Sequence, residues 1–185
     1  MISTNDMRPG QTLELDGGLF TIVNYQHVKP GKGQAFVKTK LKAVKRGAVL
    51  DRTFRADEKV NLAVLDKREM QYLYEDAAGL VFMDNESYEQ THIPRELLGD
   101  AGKFLKDGTV CVVPMYEGTP VGAEMPLTMV LEITETEPGY KGDRVSGALK
   151  PAKLESGASV QVPLFLETGE SIKVDTRTGE YISRA

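Results

Sequence analysis

The chain has 185 residues, 41% of them hydrophobic and 27% charged, a balance that excludes a disordered chain and allows one large domain or two to three small ones. A single cysteine, Cys111, excludes an intrachain disulfide, and no apolar stretch approaches the roughly 20 residues that span a bilayer. The net charge of −4 conceals a segregation: residues 1–64 carry +5, residues 65–126 carry −7 and residues 127–185 carry −2. The opening Met1-Ile2-Ser3-Thr4-Asn5-Asp6 has neither a basic nor an apolar leader segment. A cytoplasmic protein with one polyanion-binding end is expected.

Turn signals recur at short intervals along the chain, at Asp16-Gly17-Gly18, Arg46-Gly47, Asp107-Gly108, Glu117-Gly118, Thr168-Gly169 and Thr178-Gly179. That spacing predicts several small barrels or sandwiches built mainly of strands. Leu19–Tyr25 reads as a strand entered through the first of these turns. Ala35–Val44 alternates, with Phe36, Lys38, Lys40 and Lys42 on one face and Val37, Thr39, Leu41 and Ala43 on the other. Between them, His27-Val28-Lys29-Pro30-Gly31-Lys32-Gly33-Gln34 has the composition of a hairpin loop. Strands are expected next at Gln71–Tyr74 and Leu80–Met83, and a helix from Pro94 through Leu98 toward Leu105, weakened by Gly99 and Gly102. Thr109–Tyr116, Met129–Thr134, Ser159–Leu166, Ser171–Asp175 and Glu180–Ser183 read as further strands. Junctions are expected near Asn61–Asp66 and Glu124–Pro126, dividing the chain into segments 1–64, 65–126 and 127–185.

Candidates for catalysis are scarce. His27 and His92 lie far apart and lack metal-ligand spacing. Cys111 sits in the apolar run Val110-Cys111-Val112-Val113, where a buried small hydrophobe outweighs a nucleophile. Asp84, Glu86 and Glu89 read as a solvated acidic face. No catalytic, metal or cofactor site is therefore expected. Gly31-Lys32-Gly33 fails the test for a phosphate-binding loop, because the Gly-x-x-x-x-Gly-Lys pattern is absent and a strand follows instead of a helix. Lys32 is instead displayed at a hairpin tip, with glycine on both sides leaving it unobstructed. Residues 29–55 hold nine basic side chains and one acid, Asp51. Lys29, Lys38, Lys40, Lys42, Lys45, Arg46, Arg52 and Arg55 would share one module if the strands pair, neutralising phosphates in a salt-dependent way. With only Tyr25, Phe36 and Phe54 interleaved, backbone recognition of a structured RNA fits better than base stacking.

Three stretches resemble the bacterial elongation factor P family, and the resemblance runs end to end. They are Lys29-Pro30-Gly31-Lys32-Gly33-Gln34-Ala35-Phe36; Gln71-Tyr72-Leu73-Tyr74 with Phe82 to Gln90; and Lys150-Pro151-Ala152, Val160 to Phe165 and Gly169, followed by Ile172 to Tyr181. The resemblance implies a mainly β fold of three small barrels in an L-shaped, tRNA-like arrangement: an SH3-like (KOW-type) domain and two OB-like domains. It implies a monomeric translation factor that binds both ribosomal subunits between the peptidyl-tRNA and exit sites and stimulates peptide-bond formation at consecutive prolines. Lys32 matches the position that is post-translationally extended and reaches the CCA end of peptidyl-tRNA. Its Pro-Gly-Lys-Gly-Gln context suggests a lysine-type extension by a lysyl-tRNA-synthetase-like ligase. Tyr181 and Arg184 match residues that the family needs for activity. Gly142-Asp143 matches the start of a Gly-Asp-Thr motif used near the exit-site mRNA codon. Arg144 replaces the threonine, which puts the hydroxyl contact in doubt and offers a phosphate contact instead.

Two rival readings remain. A general RNA-binding OB protein without ribosome specificity leaves the acidic middle third unexplained. An enzyme using Lys32 as nucleophile would need a pocket to depress its pKa, which an exposed tip lacks.

Overall fold

The computed structural model describes residues 1–139 and 147–185. Three antiparallel sheets account for most of the chain. The first contains β1 (Ile2–Ser3), β2 (Thr12–Leu15), β3 (Gly18–Val28), β4 (Phe36–Ala43), β5 (Val49–Arg55) and β6 (Lys59–Ala63), in the order β1-β6-β2-β3-β4-β5. Its first hairpin is closed by Asp16 and Gly17 at φ 50° and 77°, with Leu15 opposite Gly18. This is the two-residue turn whose backbone twist matches the strands it joins. In β4 the period of two buries Val37, Thr39 and Leu41 and exposes Lys38, Lys40 and Lys42, as the sequence predicts. Met7, Leu13, Leu15, Ile22, Val37, Leu41, Phe54 and Val60 form the core. The buried Thr39 hydroxyl donates to the Arg52 carbonyl at 2.8 Å, so its polar atom is not stranded.

The second sheet contains β7 (Asp66–Asp76), β8 (Gly79–Asp84), β9 (Gln90–Ile93), β10 (Val110–Tyr116) and β11 (Thr119–Pro120), ordered β11-β10-β7-β8-β9. Leu80, Val81 and Phe82 are all buried, so β8 is covered on both faces. Arg95–Phe104 is not the α-helix expected from Pro94 onward. It is a pair of 3-10 turns joined across Gly99, whose φ 61° and ψ −152° are outside any helix. Leu97 and Leu105 donate to carbonyls three residues back, at Pro94 and Gly102.

The third sheet contains β12 (Thr128–Thr136), β13 (Leu149–Leu154), β14 (Ser159–Pro163), β15 (Ser171–Asp175) and β16 (Tyr181–Arg184), ordered β14-β13-β12-β15-β16. Its edge strands β14 and β16 approach one another, curling the sheet into a barrel-like form. The strand expected to reach Leu166 stops at Pro163, where a turn closes from the Leu166 N–H to the Pro163 carbonyl. The core takes Leu131, Ile133, Leu154, Val162, Leu166, Ile172 and Val174, with Phe104 from the second 3-10 turn fully buried among them.

By compactness the chain divides into residues 1–67 with 113–122, and residues 68–112 with 123–185, strand β10 running through the division. No helix among the described residues is long and apolar enough to cross a membrane.

Candidate nucleic-acid interface

The β3–β4 hairpin positions the site. Its strands are 11 and 8 residues long, and they carry residues 29–35 at their open end. Gly33 has φ 106°, a conformation that disfavours any side chain. A Cβ added at Gly31 would meet nothing within 4 Å, and one at Gly33 would meet only the Pro30 ring at 4.0 Å. The tip is therefore open on every side within its own unit. Lys29, Pro30, Gly31, Lys32, Gly33 and Gln34 are all exposed. The side chains of Lys29 and Lys32 form no hydrogen bond or ion pair among the described residues.

Below the tip, the strand register assembles an outward face. Val28, Phe36 and Arg55 form one cross-strand row, Gln26, Lys38 and Thr53 the next, then Asn24, Lys40 and Asp51, then Thr21, Lys42 and Val49. The Lys38 ammonium lies 5.8 Å from the centroid of the Phe36 ring, within cation–π range. Lys38, Lys40, Lys42 and Arg55 are exposed and none makes a salt bridge among the described residues. Their charges are thus available to an anionic partner without first breaking an internal pair.

Arg52 does not belong to this face. It pairs with Thr39 and so emerges on the opposite side of the sheet. There its Nη1 donates to Asp16 Oδ2 at 2.7 Å, and its guanidinium lies 5.2 Å over the Phe54 ring. The expected five-residue basic face becomes Lys38, Lys40, Lys42 and Arg55. Asn24, Gln26 and Thr53, which the sequence reading omitted, are the polar side chains interleaved with it. The placement of Asn24 and Gln26 depends on a bulge in β3, where the register shifts between Ile22 and Asn24. Without that extra residue, Asn24 and Gln26 would fall on the buried side.

In the third sheet, Tyr181 and Arg184 share β16. Tyr181 stands opposite Val174 and packs half-buried against the core. Arg184 is committed locally: its Nη2 is 3.1 Å from Glu170 Oε1, and its guanidinium is 4.8 Å over the Phe165 ring. Asp175 is tied likewise. The Arg177 side chain, helped by the Arg177 and Thr178 backbone N–H groups, holds its carboxyl down to about 2. Gly142, Asp143 and Arg144 lie outside the described residues. Cys111 is buried, with burial pushing its thiol up to about 11, and its sulfur lies 3.6 Å from that of Met125. It has the environment of a packed hydrophobe and not of a thiolate.

Comparison with known proteins places each sheet in a described domain. Residues 3–60 match the elongation factor P KOW-like domain, residues 65–123 the elongation factor P OB domain, and residues 129–184 the elongation factor P C-terminal domain. Elongation factor P of Acidothermus cellulolyticus is 57% identical over 185 residues, covering 100% of this chain and 99% of that protein. Elongation factor P of Moorella thermoacetica is 56% identical over 185 residues, with 100% of both chains covered. Among solved structures, the translation initiation factor 5A of Methanococcus jannaschii superposes with a TM-score of 0.55 at 21% identity, over 67% of this chain and 91% of that one. At that identity the likeness is one of fold.

Proposed function

The chain belongs to the elongation factor P family and is a translation elongation factor, not an enzyme; we propose that it binds the ribosome between the peptidyl-tRNA and exit sites and stimulates peptide-bond formation at consecutive prolines. In this reading it acts as a cytoplasmic monomer, contacts both ribosomal subunits and the exit-site codon, and directs Lys32 toward the CCA end of peptidyl-tRNA. One observation carries the reading. A lysine stands at the open tip of a hairpin whose outward face is lined by unpaired cations.

The chemistry asked of such a site is modest. Proline attacks slowly because its amine is held in a ring, and a poorly placed peptidyl-tRNA forfeits the rate advantage of proximity. A factor that holds the CCA end in reactive geometry recovers that advantage without donating or accepting a proton. Lys38, Lys40, Lys42 and Arg55 supply phosphate contacts that fix the register of the hairpin on the RNA. Lys32, lengthened by a lysine-type extension from a lysyl-tRNA-synthetase-like ligase, supplies the reach. The openness of the tip suits both steps, since a modifying enzyme must enclose the same side chain that later enters a narrow RNA cleft.

Two measurements test this. Intact-mass and peptide spectrometry of protein from its native host should show a mass excess on the peptide containing Lys32. In a reconstituted translation system, Lys32→Ala should fold normally and give no stimulation of Pro-Pro synthesis. Full stimulation by that variant would sink the proposed role.

A further inference from the structure

Residues 104–109 run from the second 3-10 turn to β10, yet they are tied to two sheets at once. At one end Phe104 is fully buried in the core of the third sheet. A Cβ at Gly179, in the turn between β15 and β16, would meet the Phe104 ring at 3.7 Å and the Lys103 ammonium at 3.6 Å. The ring therefore packs against the turn that leads into β16, in the same cluster that Tyr181 rests on. Two residues on, the Lys106 ammonium donates to the Val130 carbonyl of β12 at 2.9 Å and to Glu155 Oε1 at 3.3 Å. Glu155 Oε1 also accepts the Glu132 N–H at 3.0 Å, so the carboxylate is held where the ammonium meets it.

At the other end the stretch closes on itself and on the second sheet. The Thr109 hydroxyl donates to the Lys106 carbonyl at 2.6 Å, and the Thr109 N–H donates to the same carbonyl at 3.1 Å. From this turn the Gly108 N–H donates to the Tyr72 carbonyl at 2.9 Å, and the Tyr72 N–H to the Thr109 carbonyl at 2.8 Å. Tyr72 lies in β7 and is itself buried against Phe82 of β8, their ring centroids 5.5 Å apart. So short and fully bonded a span cannot absorb a rotation of one sheet against the other. Freeing it requires breaking the ammonium's bonds or withdrawing the ring from a close-packed core. Compactness agrees, since residues 68–112 and 123–185 form one unit across two of the three matched domains.

We propose that residues 104–109 are a coupling strap. Phe104 and Lys106 are its positioning residues, fixing β7–β9 and the third sheet as one rigid body, so that β16 reaches its ribosomal contacts already oriented. Orientation set before encounter spares part of the ordering cost of binding. The Lys106–Glu155 pair is more than a third exposed and adds little to stability; what it contributes is alignment. The inference rests on the ribosome reading above and adds that this unit binds as a single piece.

The test uses the full-length chain with spin labels at two exposed positions, Gln90→Cys of β9 and Lys153→Cys of β13. Buried Cys111 stays unlabelled. The labelled parent should give one narrow distance distribution. Lys106→Met, which keeps the apolar stem and removes both bonds, should broaden it, and so should Phe104→Leu. Lys106→Arg, able to make both bonds, should keep it narrow. In a Pro-Pro synthesis assay, Lys106→Met should raise the factor concentration for half-maximal stimulation about three- to tenfold and leave the saturating rate unchanged. Its melting temperature should stay within about 2 °C of the parent's. Lys106→Arg should restore the parental concentration. A broad parental distribution, or one that both Lys106→Met and Phe104→Leu leave narrow, would overturn the strap. So would an unchanged half-maximal concentration for Lys106→Met, or a weakening that tracks a lowered melting temperature and marks Lys106 as merely structural. Absence of stimulation by the parent would defeat the ribosome reading alone, the distances still confirming or overturning the strap.

Discussion

The first and third sheets obey the same pleat and the same alternation, yet they dispose of their cations differently. In the third, Arg184 is paired with Glu170 and stacked on Phe165, and Arg177 is paired with Asp175, while the exposed Lys153 and Lys173 have no carboxylate partner among the described residues. In the first, Lys32, Lys38, Lys40, Lys42 and Arg55 have no carboxylate partner among the described residues, and only Arg52 is tied, to Asp16. Counting basic residues does not separate these surfaces; the first gathers Lys38, Lys40, Lys42 and Arg55 unpaired on one face, whereas the third pairs Arg177 and Arg184. A paired arginine must release its carboxylate before it meets a phosphate, whereas an unpaired lysine brings only counterions to release.

This contrast can be broken or sharpened by experiment, the largest effect coming first. Replacing Lys40 and Lys42 together by glutamate should weaken ribosome binding about tenfold or more near 0.1 M salt. The slope of log affinity against log salt should flatten by about one to two units, as two phosphate contacts are lost. Unchanged affinity would remove the basic face from the account. A smaller effect is expected at the paired cations of the third sheet. The Asp175 carboxyl is lowered in the folded state, so its contribution to stability is complete at neutral pH. It is lost as pH falls from the ordinary aspartate value of 3.8 through about 2. Asp175→Asn should therefore flatten the acid limb of a melting-temperature profile and leave the profile above pH 6 parallel to the parent's. Smallest of all should be Arg52→Ala. It ought to leave ribosome affinity unchanged and cost less than about 1 kcal/mol, since an ion pair this exposed is worth little. A loss of affinity matching that of the lysine variants would show that the sheet faces have been misassigned.

Much of the first sheet was legible in the residues. The alternation of Phe36 through Ala43 fixes which side is buried, and glycines around Lys32 mark a tip with nothing to lean on. Arg52 was misplaced because charge density along a sequence carries no information about strand phase, which only its pairing with Thr39 settles. Asn24 and Gln26 escaped notice for a related reason: a bulge changes the phase of β3 without leaving a distinctive residue behind. The segment after Pro94 reads as helical because proline suits a first helical turn, but Gly99 takes a conformation that no helix accommodates. Phe104 then leaves the turn for the core of the third sheet, a long-range destination that local pattern does not encode.

The central claim is that binding and stimulation reside in different parts of one hairpin, the face and the tip. The rate of Pro-Pro peptide-bond formation at saturating factor concentration separates them. With Lys40→Glu/Lys42→Glu, raising the concentration should restore the parental rate, because only affinity is lost. With Lys32→Ala, the rate should stay at the level without factor however much is added. Recovery of the Lys32→Ala rate at high concentration would contradict the account, reducing Lys32 to one more phosphate contact.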